Sequence, residues 1–153
     1  MADKLIIEIF REKNAEEFTK ALAAPDSRLE TGSAAAMTAA VAMSLAARAA
    51  AACDQSGEKA QYIARNIETL RGYMVHLIDE DVKSRGPLRR AIKEGDARTI
   101  EAARQPAVCI DQEIINMMGQ ALELIAGLTE ICPKDSMHYV GEAAELALAA
   151  VRC

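Results

Sequence analysis

The stretch HLIDEDV concentrates three carboxylates within a single helical turn. Asp81 follows Leu77 by four residues and Met74 by seven, so it shares the apolar face of the predicted helix. A carboxylate that faces a protein core is costly unless it is paired or has a chemical use, such as moving a proton. Asp81 is therefore either a catalytic acid–base group or a buried aspartate with satisfied hydrogen bonds. Asp79 and Glu80 fall away from the apolar face, and we expect both to be solvated.

The letters ETGSAAA place a glycine and two hydroxyl side chains at the start of an alanine-rich helix. Gly32 would let the backbone approach a ligand closely, while Ser33 or Thr31 can cap the helix. The free N–H groups and the positive dipole end of a helix start favour an anionic or carbonyl ligand. The pattern predicts either a ligand-binding turn at Gly32 and Ser33 or an ordinary helix cap.

Two further groups of polar residues have spacings that suit a ligand. Lys59, Tyr62 and Asn66 are three and four residues apart, so they form a polar stripe on one helix face. This stripe indicates either a ligand contact or ordinary surface. His138 and Tyr139 open the last predicted helix, where a histidine is either an acid–base group that titrates near neutral pH or a surface capping residue.

Cysteine spacing gives no indication of a metal centre. The four cysteines contain no C-x-x-C pair, and we interpret them as free thiols in a reducing compartment. Cys132 and His138 are the best nucleus for a zinc site, but two further ligands are not evident. We therefore expect no metal.

The composition limits the class of protein. The 153 residues suffice for one domain with a core, and the formal net charge of −5 gives no reason to expect a nucleic-acid surface. The N-terminal segment has early acidic residues and no long apolar run, so it does not resemble a signal peptide. The longest uncharged apolar run, residues 34–47, is too short to span a bilayer, which needs about 20 strongly apolar residues. We expect a soluble, cytoplasmic protein that does not contact membranes.

Helical periodicity dominates the chain, and no stretch alternates with a period of two. The fold class is therefore all-α, a single-domain bundle of about five helices. Of the nineteen residues 34–52, twelve are alanine, which lets neighbouring helices approach closely and predicts a central helix or a self-packing seam. The predicted helices cover about 14–24, 33–53, 58–84, 96–127 and 136–153, with a break at Gly86-Pro87 and a kink at Pro106. Residues 1–13 form an N-terminal arm, of which the first twelve are either a strand or a helical segment, and residues 14–153 form the domain.

In the order of these landmarks the chain resembles the cyclodeaminase/cyclohydrolase family. Its members include the C-terminal half of formiminotransferase-cyclodeaminase and bacterial methenyltetrahydrofolate cyclohydrolases. The resemblance covers about residues 14–151 and depends most on GSAAAMTAAVAMSLAA and LIDEDV. The supporting landmarks are Gly57-x-Lys59-x-x-Tyr62, Pro106, the turn Pro133-Lys134-Asp135, and Gly141.

The resemblance implies an all-α homodimer or larger oligomer that binds a reduced folate. Such an enzyme hydrolyses 5,10-methenyltetrahydrofolate to the 10-formyl form, or releases ammonia from 5-formiminotetrahydrofolate as the ring closes. Asp81 would stabilise the methenyl cation or activate water, with His138 as a second acid–base group. Gly32 and Ser33 would hold a carbonyl or carboxylate of the folate. Substrate binding would also involve Lys59 and Tyr62, which would orient the pterin or its glutamyl tail, and Tyr139.

Three departures from the family pattern favour an alternative. The family loop usually reads Gly-Gly-Gly-Ser, whereas this chain has Glu30 and Thr31 in place of two glycines. His138 and Tyr139 stand where the family tends to have Ser-Asp, and the chain ends before an additional C-terminal segment of the family. The alternative is a shortened, non-catalytic relative that binds a folate or a protein partner as a subunit or sensor. A helical scaffold without a small ligand is a third possibility.

Overall fold

The computed structural model describes residues 9–153, and this part of the chain is helical without a strand. Its five α-helices are α1 (Ala15–Ala23), α2 (Thr31–Ala51), α3 (Glu58–Glu94), α4 (Ala97–Leu128) and α5 (Met137–Arg152). Short 3-10 turns at Phe10–Glu12 and Lys134–Ser136 precede α1 and α5. The predicted all-α class is therefore confirmed. The division into an arm and a domain stays a prediction, because only residues 9–13 of the arm lie within the described part.

Side-chain caps fix two of the helix starts. The Asn14 carboxamide accepts from the Glu17 backbone N–H at 2.9 Å, and the Glu17 carboxylate accepts from the Asn14 N–H at 3.3 Å. This reciprocal pair is the capping box that the sequence predicts. Asp96 accepts from the Thr99 N–H at 2.9 Å and starts α4 in the same way. Gly95, with a φ of 76°, ends α3 in a left-handed conformation that favours glycine.

The predicted break at Gly86-Pro87 is wrong, because α3 runs through Pro87 without interruption for 37 residues. Pro87 removes one backbone hydrogen bond and costs about 3 kcal/mol in a helix interior. Contacts on both sides of the proline offset this cost. Arg85 donates to Asp111 on α4 at 2.8 and 3.0 Å, and Arg89 donates to the backbone oxygens of Ser27 and Arg28 at 3.3 and 3.2 Å.

Helix α2 packs against α3, α4 and α5, and alanine is what makes this possible. Six of its alanines, at positions 36, 39, 42, 46, 49 and 50, are no more than 2% exposed. Because a methyl group is the whole side chain, neighbouring helices approach this helix from several sides. The prediction of a central alanine-rich helix is confirmed.

Helix α2 also has the length and apolar composition of a membrane-spanning helix, since it extends beyond the apolar run 34–47. Half of its most apolar stretch is buried against the rest of the bundle. The core helix of a bundle has the same composition. We therefore interpret α2 as a core helix, and the expectation that the run 34–47 does not span a bilayer stays a prediction.

Candidate functional site

Asp81 lies inside the bundle, where α3 crosses the start of α2. Its side chain is fully buried and accepts hydrogen bonds from the Ser33 hydroxyl at 2.7 Å and from Arg85 Nε at 2.6 Å. Charge-assisted bonds of this kind stabilise a carboxylate away from water. The expectation that Asp81 faces inward is confirmed, and Ser33 is also fully buried.

Gly32 is the residue that lets α2 come this close to Asp81. A Cβ atom at position 32 would lie 2.3 Å from Asp81 Oδ1 and 2.7 Å from its Cγ. Both distances are far below van der Waals contact, so any side chain here would displace the carboxylate. The glycine in Thr-Gly-Ser therefore admits a carboxylate of the protein itself to the helix start.

Arg85 extends the site from Asp81 to the surface. Its Nη2 atom donates to Asp111 at 2.8 and 3.0 Å, and its Nη1 atom lies 3.6 Å from Glu30. Glu30 in turn pairs with Arg89 at 3.1 Å. Burial alone lowers the pKa of Arg85, but the hydrogen bonds and charges of Asp81 and Asp111 outweigh it, so that pKa is raised and the guanidinium stays charged.

A cavity of about 160 Å³ lies beside this cluster, between the start of α2, the middle of α4 and the end of α5. Asp111 is the charged residue in its wall, and 43% of this side chain is exposed. The other lining residues are Thr31, Gly32, Ala35, Ile114, Ile115, Ala150, Val151 and Cys153. The arrangement offers a carboxylate that is held on one side by Arg85 and is open on the other.

No sequence pattern described above pointed to Asp111 or Arg85 as a site residue. Arg85 follows Asp81 by four residues, which is the spacing of an ion pair on one helix face. Asp111 precedes the buried Ile114 by three residues, so it borders the apolar stripe of α4. The spacing of Asp81 and Arg85 could have predicted their ion pair from the sequence. The pairing of Asp111 with Arg85 could not be predicted, because it depends on the packing of α4 against α3.

Asp79 corrects the expectation of a solvated side chain, because it is only 5% exposed. Its Oδ1 atom accepts from the Phe10 backbone N–H at 2.7 Å, and its Oδ2 atom lies 3.5 Å from Arg11 Nε. The segment before α1 covers this part of α3 and buries Phe10 beside it. Glu80 is partly exposed and pairs with Lys83. The structure of Glu80 therefore agrees better with the predicted contact with solvent than that of Asp79 does.

Lys59, Tyr62 and Asn66 line a different space, a groove of about 570 Å³ between α3 and α4. The Lys59 ammonium pairs with Glu130, which follows the end of α4. Tyr62 precedes Asp81 by 19 residues on α3, which corresponds to about 28 Å at about 1.5 Å per residue. The structure does not bring this stripe together with Asp81 in one chain.

His138 and Tyr139 lie near the opposite end of α5 from the cavity. His138 precedes Ala150, a cavity residue, by twelve positions, or about 18 Å along the helix. The two rings are 3.9 Å apart, and the Arg48 guanidinium stacks 4.6 Å from the Tyr139 ring. Within one chain these residues cannot reach a small group bound beside Asp111.

Two cysteines meet at the far end of α2. The thiols of Cys53 and Cys132 lie 3.4 and 3.8 Å from the Ala49 carbonyl oxygen. Burial, followed by the neighbouring Cys132, raises the pKa of the Cys53 thiol. All four cysteines are free, and within residues 9–153 no group of three or more histidine, cysteine, aspartate or glutamate side chains is placed to hold a metal ion.

The fold and the site define an all-α bundle in which a buried aspartate from one helix meets the start of an alanine-rich helix. A family model described as formiminotransferase-cyclodeaminase matches residues 14–153. The chain belongs to this family, as the resemblance in its sequence predicted.

A solved structure has the same fold. The chain is similar to formiminotetrahydrofolate cyclodeaminase from Thermotoga maritima, with a TM-score of 0.84 and 19% sequence identity. The match covers 91% of this chain and 73% of that chain. No curated protein matches the chain.

Proposed function

We propose that the protein is an enzyme of folate one-carbon metabolism. It would hydrolyse 5,10-methenyltetrahydrofolate or cyclodeaminate 5-formiminotetrahydrofolate. The observation that carries the proposal is the cavity beside Gly32, where the half-exposed Asp111 carboxylate is held by Arg85. Membership of the formiminotransferase-cyclodeaminase family supports the choice of substrate.

Asp111 is placed to act as the acid–base group of both reactions. In hydrolysis, its carboxylate would attract the cationic substrate and take a proton from the water that attacks the methenyl carbon. It would return this proton to N5 as the N5–carbon bond breaks, and the second proton of the water would leave to solvent as the formyl group forms. In cyclodeamination, it would take the proton from the attacking N10 and return it to the departing ammonia. One carboxylate with a free side is sufficient for either sequence of proton transfers.

Asp81 would then be a positioning residue. Its oxygens are occupied by Ser33 and Arg85, and its side chain has no access to the cavity surface. It holds the Arg85 guanidinium, which in turn orients Asp111. Gly32 and Ser33 would contribute the helix start that borders the reacting group.

The proposed folate contacts of Lys59, Tyr62 and Tyr139 and the proposed acid–base role of His138 need a second copy of the chain. In one chain Tyr62 is about 28 Å from Asp81, which exceeds the length of a monoglutamyl folate. A homodimer in which one protomer presents these residues to the cavity of the other would unite them. We propose this assembly and a cytoplasmic location for the protein, with no metal cofactor.

The test measures the rate at which the methenyl absorbance falls in the presence of the protein and compares it with the rate in buffer alone. Asp111→Asn should lower kcat/KM at least about 100-fold, as removal of an acid–base group typically does, with the fold intact. Glu101→Gln is the matched control, since Glu101 lies on the same helix, is largely exposed and lines neither the cavity nor the α3–α4 groove. Glu123→Gln is a separate variant that tests the groove, which Glu123 lines. If Glu123→Gln lost activity and Asp111→Asn did not, the reaction would take place in the groove and not in the cavity. Full activity of Asp111→Asn would overturn the assignment of Asp111.

A non-catalytic folate-binding relative is the second candidate function. It is favoured by Glu30, which occupies a position where the family resemblance has glycine. The cavity of about 160 Å³ is below the roughly 300–1,000 Å³ of typical small-molecule sites, so it would admit only part of a folate under either function. This candidate predicts no acceleration of the reaction but a rise in Tm with tetrahydrofolate, since a ligand at about 100 times its Kd adds about 2.7 kcal/mol of stability. Absence of both effects would contradict both functions.

A further inference from the structure

Glu30 occupies the N-cap position of α2 but does not cap the helix with its side chain. Its carboxylate instead points to α3, where Oε1 lies 3.1 Å from Arg89 Nη1 and Oε2 lies 3.6 Å from Arg85 Nη1. Serine, asparagine or aspartate would satisfy the helix N–H groups better at this position. The glutamate therefore contributes to the charge of the site at the expense of an ordinary cap.

The charges around Arg85 do not balance. The cluster contains the carboxylates of Glu30, Asp81 and Asp111 and the guanidinium groups of Arg85 and Arg89. It therefore carries one more negative than positive charge. Glu30 contacts both guanidinium groups and does not line the cavity, so it offsets part of the positive charge that Arg85, Arg89 and the start of α2 place near Asp111. The surplus negative charge of the cluster therefore lies at Asp111, the carboxylate that faces the cavity.

We propose that Glu30 is a specificity-determining residue, which makes the cavity select a small planar cation over neutral and anionic groups of the same shape. The proposal rests on the proposed function, within which it names the substrate class. The methenyl group of the substrate is a cation, and a protonated formimino group is an amidinium. Both would be preferred over the neutral tetrahydrofolate ring and the neutral formyl product.

The size of the cavity fits this class of group. Its volume of about 160 Å³ corresponds to a few water molecules, at about 30 Å³ each in the liquid. A group of the size of an amidinium fits there, whereas a whole folate does not. Only the one-carbon end of a folate would enter, with its flat face against the apolar wall and its charge towards Asp111.

The preference should depend on Glu30 through charge and not through shape. Only 14% of the Arg85 side chain is exposed, so its interactions with carboxylates are less screened than those of surface groups. In Glu30→Gln the guanidinium groups keep a hydrogen-bond acceptor but lose a negative charge. The cluster becomes neutral, and its attraction for a cation falls.

A folate-independent experiment titrates the protein with acetamidinium, acetamide and acetate, and follows the backbone amides of Gly32 and Ala150 by NMR. Acetamidinium should bind about tenfold more tightly than acetamide, a ratio equivalent to about 1.4 kcal/mol, and acetate more weakly still. Glu30→Gln should reduce the ratio at least threefold, while Glu30→Asp should restore it. Glu16→Gln, which removes a paired carboxylate on α1, should leave it unchanged. Equal binding of the three probes, or an unchanged ratio in Glu30→Gln, would overturn the proposal.

The second arm separates this proposal from the proposed function. It compares the affinities of 5,10-methenyltetrahydrofolate and tetrahydrofolate at neutral pH, within a time that is short relative to hydrolysis of the methenyl form. A cation preference that Glu30→Gln reduces supports both proposals. Selection of acetamidinium without binding of any folate would overturn the proposed function and support the charge selection. Equal folate affinities would overturn the charge selection alone.

Discussion

Asp79 and Asp81 are two residues apart on α3 and are both buried, yet they meet different partners. Asp81 bonds to side chains of α2 and α3, beside a cavity. Asp79 bonds to the backbone N–H of Phe10 and lies near Arg11, both within residues 9–13, which precede α1. The difference shows that one helix can bury two nearby carboxylates for unrelated reasons. Asp81 belongs to the candidate site, whereas Asp79 binds the segment before α1 through the Phe10 N–H.

The comparison predicts that removing the charge of Asp81 has the largest effect on stability. Asp81→Asn should lower the free energy of unfolding by about 3 kcal/mol, because it breaks a buried ion pair and turns an amide towards Arg85. Urea denaturation at an unchanged m-value would measure this. A loss below about 0.5 kcal/mol, the range of ordinary surface substitutions, would mean that Asp81 has no special structural role.

Gly32→Ala tests the close approach of α2 to Asp81. The added Cβ would lie 2.3 Å from Asp81 Oδ1, so the carboxylate must shift away from its partners. We expect a loss of about 2 kcal/mol, typical of overpacking. Gly119→Ala in α4 is the control, since a Cβ there meets nothing within 4 Å. It should be neutral or stabilise the helix by up to about 1 kcal/mol. Equal effects of the two substitutions would contradict the contact.

Asp79→Ala should have a smaller and more local effect. It leaves the Phe10 N–H without its acceptor, which costs about 1–2 kcal/mol. The change should appear as faster hydrogen exchange at Phe10 and earlier proteolysis before α1. Asp79→Asn keeps an acceptor oxygen and should show less of both. If Asp79→Ala instead altered the amides around Gly32, the two carboxylates would not be independent.

Arg11→Ala should give the smallest effect. Its Nε atom lies 3.5 Å from Asp79, and 36% of the Arg11 side chain is exposed, so water and salt screen the pair. We expect a change of about 0.5 kcal/mol or less in thermal unfolding. A loss of stability as large as that of Asp79→Ala would show that the ion pair, and not the Phe10 hydrogen bond, holds the segment before α1 against α3.

Local sequence signals predicted much of the fold. The capping residues Asn14 and Asp96 marked helix starts, because caps are formed by residues that are neighbours in sequence. The proline in α3 misled the prediction for the opposite reason. Its cost is local, whereas the contacts of Arg85 and Arg89 that offset it come from other parts of the chain.

The same distinction separates the parts of the candidate site. Periodicity placed Asp81 on the inner face, since that face belongs to its own helix. It placed Asp79 in solvent, because no pattern in α3 reveals that the segment around Phe10 covers it. Asp111 and its pairing with Arg85 likewise required the relative position of α3 and α4.

The sequence by itself therefore determined the helices apart from the continuation of α3 through Pro87, the central role of the alanine-rich helix and the inward direction of Asp81. Each of these follows from propensity or spacing within one segment. The tertiary structure decided which carboxylate faces the cavity, which one bonds to the segment before α1, and that Lys59 and His138 lie away from the cavity. These outcomes depend on distances between segments far apart in sequence, and the physical reason is that helix packing sets such distances while no local pattern encodes them.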